Sequence, residues 1–538
     1  MTDKPATPQL DDDAPPVGGR YAWYVLGVLV LVYIVNFVDR QILSILAEDI
    51  KADLGLTDTE LGFLYGTAFA VFYALFGIPL GRLADNWVRT RLLSIGLAVW
   101  SGMTMVSGFA NSFTQLSIAR VGVGIGEASA SPSAFSMLSD WFPKERRATA
   151  LAIYSSGLYI GGGVSLLIGA VVVKAWNNAY PGGGPLGLVG WQAAFMAVGL
   201  PGMVLAIWVA TLKEPIRGRA DGLPPPAPVP DVWLRFWHDL SSVLPPLTFF
   251  HIAQFGRAAL LRNIAVAALV AGIASAMVAL TGDLPQWLAL GIGAYAVASW
   301  AQSLKERDPP TYALIWGTPA FILALVGFGS ISFKGYALGF CAVPYAIRTF
   351  VAPLTAAGMP LPWYGTTEFI ALTLGGMGAM GGFLGVVIGG AMSDKVKRGN
   401  PGGRIMVAVL ATLVPAPFVI FQYTTDSLPL FFLLNIGPAL FGSIYVGIAA
   451  ATSQDLVLPR MRGAATATYF IGTTMIGLGL GPYFAGKISL VSGDLSTGIL
   501  SLLLAAPITL ICLYFVYRKL PEAEATRIER ARAAGEPI

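Results

Sequence analysis

Long apolar stretches that alternate with short charged segments dominate the sequence. Residues 62–80 and 92–110 contain no Asp, Glu, Lys or Arg, and each is close to the ~20 residues that a helix needs to cross a bilayer. The charges of this region fall in the eleven residues between them, Gly81 to Arg91. Only 12% of the whole chain is charged, against about 25% in a soluble domain. The chain is therefore predicted to be an all-α polytopic membrane protein.

The remaining composition argues against several classes of function. Cys341 and Cys512 lie inside apolar stretches, and their spacing to His238 and His251 fits no metal site. The net charge of +4 comes mostly from loops, so it indicates orientation in the membrane and not nucleic-acid binding. The glycines of residues 122–126 lie within a span with no preceding strand, which argues against a nucleotide loop. We expect no cofactor, no metal and no enzymatic activity.

The apolar stretches predict about fourteen spans. Six are expected at 21–47, 62–80, 92–110, 115–138, 149–173 and 191–212, two at 263–280 and 287–304, and six at 312–343, 369–392, 405–422, 429–451, 466–489 and 499–517. The pair at 263–280 and 287–304 is predicted to be an inserted hairpin, with a re-entrant pair in the membrane interface as the alternative. Two added spans leave the orientation of the following helices unchanged.

The same pattern gives the domain organisation. It predicts a disordered cytoplasmic tail (1–19), a six-helix bundle (20–212), a cytoplasmic linker (213–257), the two-helix insertion (258–310), a second six-helix bundle (311–518) and a cytoplasmic tail (519–538). The linker contains an amphipathic stretch with Trp233, Phe236 and Trp237. It is predicted either to lie on the membrane surface or to be a plain connection.

The charged segment from Gly81 to Arg91 carries a family resemblance. It is similar to the loop between the second and third helices of the major facilitator superfamily, Gly-x-Leu-Ala-Asp-Arg-x-Gly-Arg-Arg-Lys. Gly81, Leu83, Ala84, Asp85, Arg89 and Arg91 match that pattern, and Asn86 and Val88 depart from it. The resemblance implies two six-helix bundles and a transporter that works by alternating access.

Two sequence repeats agree with two bundles of similar construction. Residues 390–394 with the following basic residues repeat the segment from Gly81 to Asp85. Residues 459–467 repeat residues 143–150. Both repeats have an offset of roughly 310 residues, as expected for parallel repeats separated by an insertion.

Charged residues inside the predicted spans mark the candidate site. Such residues are costly in lipid and usually functional. Asp39 and Arg40 lie in the first span, and Arg120 in the fourth span is expected at a depth similar to that of Asp39. Glu127 shares the face of Arg120 about two turns deeper. We predict that these four side chains form a cluster facing a cavity. Asp39, Glu127 and Arg120 are the candidates for proton coupling, and Arg40, Arg120 and Glu127 for substrate binding. A permanent set of salt bridges between helices is the alternative.

The superfamily resemblance also implies gating residues. They are Gly81, Asp85, Arg89, Arg91, Asp140 and, in the second half, Asp394. Arg89 is expected to pair with Asp140, and Asp85 to meet the helix N-terminus at residues 463–466 when the protein opens outward. Arg348 and Glu368 are expected near the outer ends of their spans, where they either form an outer gate or face water, with water favoured for Arg348.

Asn36-Phe37-Val38-Asp39-Arg40, together with Arg120 and Glu127, narrows the resemblance to bacterial members of the Spinster family. That resemblance implies a proton-coupled transporter of an amphipathic, lysolipid-like substrate. A proton symporter of small organic anions such as sugar acids is the first alternative, and a non-transporting membrane sensor the second. We expect a monomer in a bacterial-type inner membrane, in contact with lipids, with both termini cytoplasmic and no nucleic-acid partner.

Overall fold

The computed structural model describes residues 15–221, 230–398, 400 and 402–537, and within these residues the regular structure is entirely helical. The first eight helices are α1 (Arg20–Leu54), α2 (Asp58–Tyr65), α3 (Thr67–Asn86), α4 (Arg89–Ser107), α5 (Phe113–Glu127), α6 (Ala130–Trp141), α7 (Lys144–Ala179) and α8 (Gly190–Ala210). The central helices are α9 (Val232–Val243), α10 (Leu247–Ala253), α11 (Arg257–Thr281), α12 (Leu284–Arg307) and α13 (Pro309–Ile315).

The second set of helices follows. It consists of α14 (Pro319–Ala346), α15 (Ala352–Ala356), α16 (Thr367–Lys397), α17 (Gly403–Leu413), α18 (Pro415–Gln422), α19 (Leu428–Phe441), α20 (Tyr445–Asp455), α21 (Arg462–Gly472), α22 (Gly479–Ser492), α23 (Leu495–Ser501), α24 (Ala506–Ala525) and α25 (Arg527–Ala533). We call α1–α8 the first half and α14–α24 the second half. The inner face is the end of the bundle that carries Gly81–Arg91, and the outer face is the opposite end.

Local sequence signals set the helix ends. Thr57 begins α2 with a capping box, in which its hydroxyl accepts from the Glu60 amide and the Glu60 carboxylate accepts from the Thr57 amide. Gly55 ends α1 in the left-handed conformation, with φ of 64°, which glycine adopts without a steric penalty. These two caps form the tight outer turn between α1 and α2.

Several predicted spans are broken in the structure. The span predicted at 312–343 is wrong as a single helix, because α13 ends at Ile315 and α14 begins at Pro319. Pro319 has no amide hydrogen to donate, so a helix begins at this residue more easily than it continues through it. The fourth span divides into α5 and α6, and wide helical turns occupy residues 347–351 and 473–478.

Ten described helical segments are long and apolar enough to cross a bilayer, so the chain is a multi-pass membrane protein. The predicted count of fourteen is not confirmed. The four other predicted spans correspond to α4, the pair α5 and α6, α12, and α21 with α22. They are interrupted or richer in polar residues than the ten.

Glycine allows one close helix crossing between the halves. Gly163 of α7 and Gly375 of α16 lie backbone to backbone, and a Cβ built on Gly375 would stand 2.5 Å from the Gly163 carbonyl oxygen. A Cβ built on Gly163 would stand 2.7 Å from the Gly375 oxygen. Because no side chain fits there, the halves touch directly along α7 and α16.

Helix α12 packs on the opposite side of the bundle, in the groove between α3 and α22. Its buried Gln286 donates to the Gly479 carbonyl oxygen at 3.1 Å and accepts from the Thr67 hydroxyl at 2.7 Å. Just before α12, Asp283 accepts from the Tyr483 hydroxyl and pairs with Lys487 at 2.8 Å. Helix α12 thus contacts both halves near the outer face.

The Gly163–Gly375 crossing gives a stability prediction. Gly375→Ala places a methyl group against the Gly163 oxygen, and such overpacking costs typically ~1–3 kcal/mol. Gly376→Ala is the matched control, because no atom lies within 4 Å of a Cβ built on Gly376, and alanine favours the helix. We expect thermal unfolding of the purified protein to shift several degrees lower for Gly375→Ala alone. Equal unfolding temperatures for the two variants would contradict the crossing.

Candidate functional site

Helices α1 and α5 place an ion pair in the interior of the first half. The Arg40 Nε donates to the Glu127 Oε2 at 2.6 Å. The Glu127 side chain is fully buried, and 13% of the Arg40 side chain stays exposed. Burying one member alone would cost several kcal/mol, so each charge keeps the other in place. Arg40 is thus the charged member of the pair that a bound molecule can reach.

Aromatic rings surround the Arg40 guanidinium. Its central carbon lies 4.9 Å from the centroid of Phe37, and 4.6 Å from those of Phe69 and Tyr73. The negative face of each ring attracts the cation, by ~0.5–2 kcal/mol per contact. Tyr33 extends this surface, since its ring stacks on Tyr154 at 4.4 Å. The site combines one accessible positive charge with a mainly aromatic wall.

The second arginine of the cluster contacts backbone. Arg120 is almost fully buried, and its Nη1 donates to the Asp39 carbonyl oxygen at 3.3 Å. The hydrogen bond to Glu127 comes from Arg40 and not from Arg120. The structure therefore brings Asp39, Arg40, Arg120 and Glu127 together, as the sequence predicted, and their roles in coupling and binding stay predictions.

The Asp39 carboxylate is the least satisfied polar group of the cluster. Within the described part of the chain, neither of its two buried oxygens makes a hydrogen bond of ordinary geometry. The side chains of Trp100 and Thr104 on α4 lie nearest to them, and their buried donors likewise make no full hydrogen bond there. An ionised carboxylate in such a place is costly unless protonated or paired. The geometry therefore suits a group that gains and loses a proton.

A buried arginine organises the inner face of the first half. Arg89 has no exposed side-chain surface and pairs with both Asp140 and Glu214, the latter at 2.7 Å. Glu214 also accepts from the Thr90 amide at 2.9 Å, and Asp140 from the Gly218 amide at 3.0 Å. The predicted Arg89–Asp140 contact is present. Glu214 was missed because it lies in a polar segment after α8, where one more charge carries no signal.

The second half repeats this arrangement. Buried Arg404 pairs with Asp455, which also binds Lys397 at 2.7 Å, and Lys397 lies 3.7 Å from Glu524. The same 315 residues separate Arg89 from Arg404 and Asp140 from Asp455. The predicted residue, Asp394, is exposed instead. The repeat offset, applied to Arg89 and Asp140, was the signal that could have identified the pair.

The other predicted gating residues make few contacts. Asp85 and Arg91 are exposed. Within the described part of the chain, Asp85 makes no hydrogen bond or ion pair with residues 463–466. A Cβ on Gly81 would meet Pro132 at 3.9 Å, an ordinary contact, so this conformation does not require glycine there. The predicted latch between Asp85 and α21 is thus not formed in this structure.

The outer face holds a charged cluster that joins the two halves. Arg348, beyond the end of α14, donates to both Asp58 oxygens at 2.7 Å and to Glu48 at 2.8 Å. Lys51 and Ser489 complete the partners of Asp58, at 2.6 and 2.7 Å. The prediction that Arg348 faces water is wrong, because these carboxylates lie opposite it. Asp58 was missed because it resembles an ordinary residue of a helix start.

Further contacts hold the outer half of the interface closed. Lys174 of α7 pairs with Glu368 of α16 at 2.6 Å. Deeper in the bundle, the Ser44 hydroxyl donates to the Phe340 carbonyl oxygen at 2.8 Å, and the Tyr65 ring stacks on Phe340. Together with the Arg348 cluster, these contacts describe a conformation closed to the outer face.

The chain belongs to the Major Facilitator Superfamily, whose model matches residues 29–424. It is therefore a membrane transport protein and not an enzyme. It is 27% identical over 478 residues to an MFS-type efflux pump of Mycolicibacterium smegmatis, covering 89% of this chain and 87% of the relative. It is 31% identical over 174 residues to a probable L-galactonate transporter of Escherichia coli, covering 32% and 35%.

A solved structure has the same fold. The bacterial homologue of the human lysosomal transporter Spinster, in its inward-facing and unoccupied conformation, aligns over 95% of this chain and 98% of its own. The TM-score is 0.64 and the sequence identity 24%. This chain thus has the major facilitator fold of a Spinster homologue. The aligned part spans only about a third of the L-galactonate transporter.

The outer cluster gives a testable prediction. Asp58→Asn removes the charge that Arg348 contacts through two hydrogen bonds, so the closed outer face loses stability. We expect the population with a wide outer face to rise several-fold, measured as the distance between spin labels at Ala52→Cys and Val491→Cys. Asp426→Asn, in an exposed outer loop, is the control and should leave the distances unchanged. An unchanged distribution in Asp58→Asn would show that the cluster does not hold the outer face.

Proposed function

We propose that this protein is a proton-coupled secondary transporter that moves an amphipathic anion by alternating access. The observation that carries the proposal is the Arg40–Glu127 ion pair within an aromatic wall. An anionic head group can accept hydrogen bonds from Arg40 in place of Glu127. The released Glu127 carboxylate then becomes neutral by taking up a proton, which couples substrate and proton at one site.

Asp39 is proposed as a second proton carrier. Its unpaired carboxylate lies one residue from Arg40 and beside the Arg120 guanidinium. A proton on Asp39 removes a buried negative charge from the interior of the first half. The strength of the Arg120 hydrogen bond to the Asp39 backbone would change with that charge. Protonation of Asp39, like that of Glu127 through Arg40, would thereby act on helix α1.

The aromatic wall supports an amphipathic substrate. Phe37, Tyr73 and Tyr33 are partly exposed and offer apolar surface beside a single accessible cation, which the buried Phe69 ring supports from behind. A sugar acid presents several hydroxyl groups, which need several polar side chains around them. A lysolipid-like molecule matches one charge and much apolar surface.

A proton symporter of small organic anions is the second candidate. It is favoured by the partial similarity to the probable L-galactonate transporter. In such a transporter Arg40 would bind the carboxylate of the substrate, and the rings would pack against its carbon skeleton. The two candidates differ in the substrate and share the coupling site.

Alternating access requires one gate on each face. We propose that the Arg348 cluster and the Lys174–Glu368 pair close the outer face in the present conformation. The proposed inner latch forms when the outer face opens, with Asp85 reaching the N-terminal end of α21. Gly81, Arg89, Arg91, Asp140 and Asp394 are proposed to shape the two inner loops around that latch.

The membrane arrangement is also part of the proposal. Helix α11 is apolar and has no buried residue in its most apolar window, so we propose that it crosses the lipid with α12 as an inserted hairpin, giving about fourteen spans. The basic residues near the inner face favour a cytoplasmic inner face. A monomer in a bacterial-type inner membrane, with both termini cytoplasmic, completes this arrangement.

Proton movement tests the function. Proteoliposomes with an internal pH dye receive either a lysolipid or a sugar acid. We expect a pH change with the lysolipid only, lost in Glu127→Gln and Asp39→Asn, because neither variant can carry the proton at its site. Substrate binding by Glu127→Gln should persist, since Arg40 stays free to bind the anion.

The controls separate the alternatives. Glu529→Gln changes an exposed carboxylate on α25 and should transport normally. A pH change with the sugar acid alone would favour the second candidate. Full proton-driven transport by Glu127→Gln would refute the coupling role, and no pH change with either substrate would refute proton coupling to both.

A further inference from the structure

The segment between the halves folds onto the inner face through one side of α9. Leu240 and Val243 are buried against Ala74 and Ile78 of α3 and against α12. Asp239 pairs with Arg82 at 2.6 Å, and Arg307 at the end of α12 lies 3.9 Å from the same carboxylate. Helix α9 is therefore fixed on the helix that leads into the Gly81–Arg91 loop.

The other side of α9 and part of α10 expose large apolar side chains. Trp233, Leu234 and Trp237 are 50%, 69% and 59% exposed, and Phe250 of α10 is 77% exposed. Trp233 and Trp237 lie four residues apart, so they share one face of the helix. Exposed apolar patches of this kind mark a binding surface.

Two observations identify what covers this surface. Residue 257, four residues after α10, begins α11, whose most apolar window contains no buried residue and which a bilayer would surround. Helix α10, which carries Phe250, packs against both α9 and α11, so the apolar side chains of α9 and α10 lie next to the apolar helix α11. Arg235 and Arg257 are exposed beside these side chains, and tryptophan and arginine are the residues that anchor helices in an anionic lipid surface.

We propose that Trp233, Leu234, Trp237 and Phe250 dock on an anionic lipid surface and that this docking holds the Gly81–Arg91 loop. We call these four residues the docking patch. The loop is linked to the patch by the Arg82–Asp239 pair and by the Trp87 ring, whose centroid lies 5.0 Å from that of Trp233. Phe236 packs with Leu83 near the end of α3 and with Leu92 in the first turn of α4.

Through the docking patch, the lipid composition of the membrane would affect the Gly81–Arg91 loop whether or not substrate is bound. Anionic head groups attract Arg235 and Arg257, and the two indoles enter the interface. The bound α9 then restrains Arg82 in the last turns of α3 and Trp87 at the connection between α3 and α4. A bilayer without negative charge would leave the patch less deeply inserted and the loop more mobile.

Site-directed spin labels test the docking. The chain with Cys341 and Cys512 replaced carries one label, at Leu234→Cys or at Arg235→Cys. In vesicles of phosphatidylcholine with phosphatidylglycerol, we expect the label at 234 to be severalfold more accessible to oxygen, relative to a water-soluble nickel complex, than the label at 235. Water-like accessibility at both positions would overturn the proposal.

Lipid composition and a paired variant test the rest of the proposal. The depth of the label at 234 should decrease in phosphatidylcholine alone, and an equal depth in both lipids would overturn the requirement for negative charge. A label at Asn86→Cys should become less mobile with phosphatidylglycerol, and Trp233→Ala with Trp237→Ala should abolish that change. Equal mobility of the label at position 86 in the two lipid compositions would overturn the link between the patch and the loop.

A second copy of the chain is the competing occupant of the patch. Protection of the label at 234 that persists in detergent and rises with protein concentration would assign the patch to a dimer and overturn the lipid proposal. None of these measurements requires transport. The result therefore stands whether or not the proposed substrate and proton coupling are correct.

Discussion

The buried ion pair between Arg40 and Glu127 constrains which side chains and which helices can pack around it in the first half. A guanidinium inside a bilayer is tolerated only where an acceptor and a polarisable wall surround it. Glu127 supplies the acceptor at 2.6 Å, and three aromatic rings supply the wall. The small residues of α5 let that helix approach α3 and α4 closely, as Gly124 and Gly126 do against backbone atoms of both helices. The ion pair, the aromatic rings around it and the close helix packing at the glycines of α5 therefore depend on one another.

The distribution of the other ion pairs separates what is rigid from what can move. Arg89 with Asp140 and Glu214 ties helices within the first half, and Arg404 with Asp455 does the same within the second. Both arginines are nearly fully buried, and buried pairs are expensive to break. The Arg348 cluster, by contrast, joins the halves and is a quarter exposed. Water can replace these outer contacts, which suits a gate, whereas the buried pairs suit a body that moves as a unit.

How much the sequence could predict depended on whether the signal was local. The apolar stretches were enough to predict the class of protein. Arg89 at the start of α4 and Asp140 near the end of α6 were correctly paired because the family pattern places them. The Arg40–Glu127 cluster followed from charges inside spans. Contacts between distant segments could not be predicted from the sequence. Arg348 and Asp58 are 290 residues apart in the chain and meet only because the two halves come together at the outer face. Pro319 is a signal in the sequence for a helix start, but the apolar residues on both sides of it led to the prediction of one continuous span.

Helix α12 is a third structural element of this transporter, in contact with both halves. The hydrogen bond and ion pair of Asp283 attach the outer end of α12 to Tyr483 and Lys487 of α22, while Trp300 and Leu304 nearer its inner end pack with Ala74 and Ile78 of α3. Its only described polar grip on α3 near the outer face is the Thr67 hydroxyl at Gln286. Because α12 is bound to α22 at its outer end and to α3 along its length, separation of α3 from α22 at the outer face must break contacts of α12 with one of them. In this conformation α12 fills the groove between α3 and α22, which leaves that side of the bundle closed to a molecule arriving from the lipid.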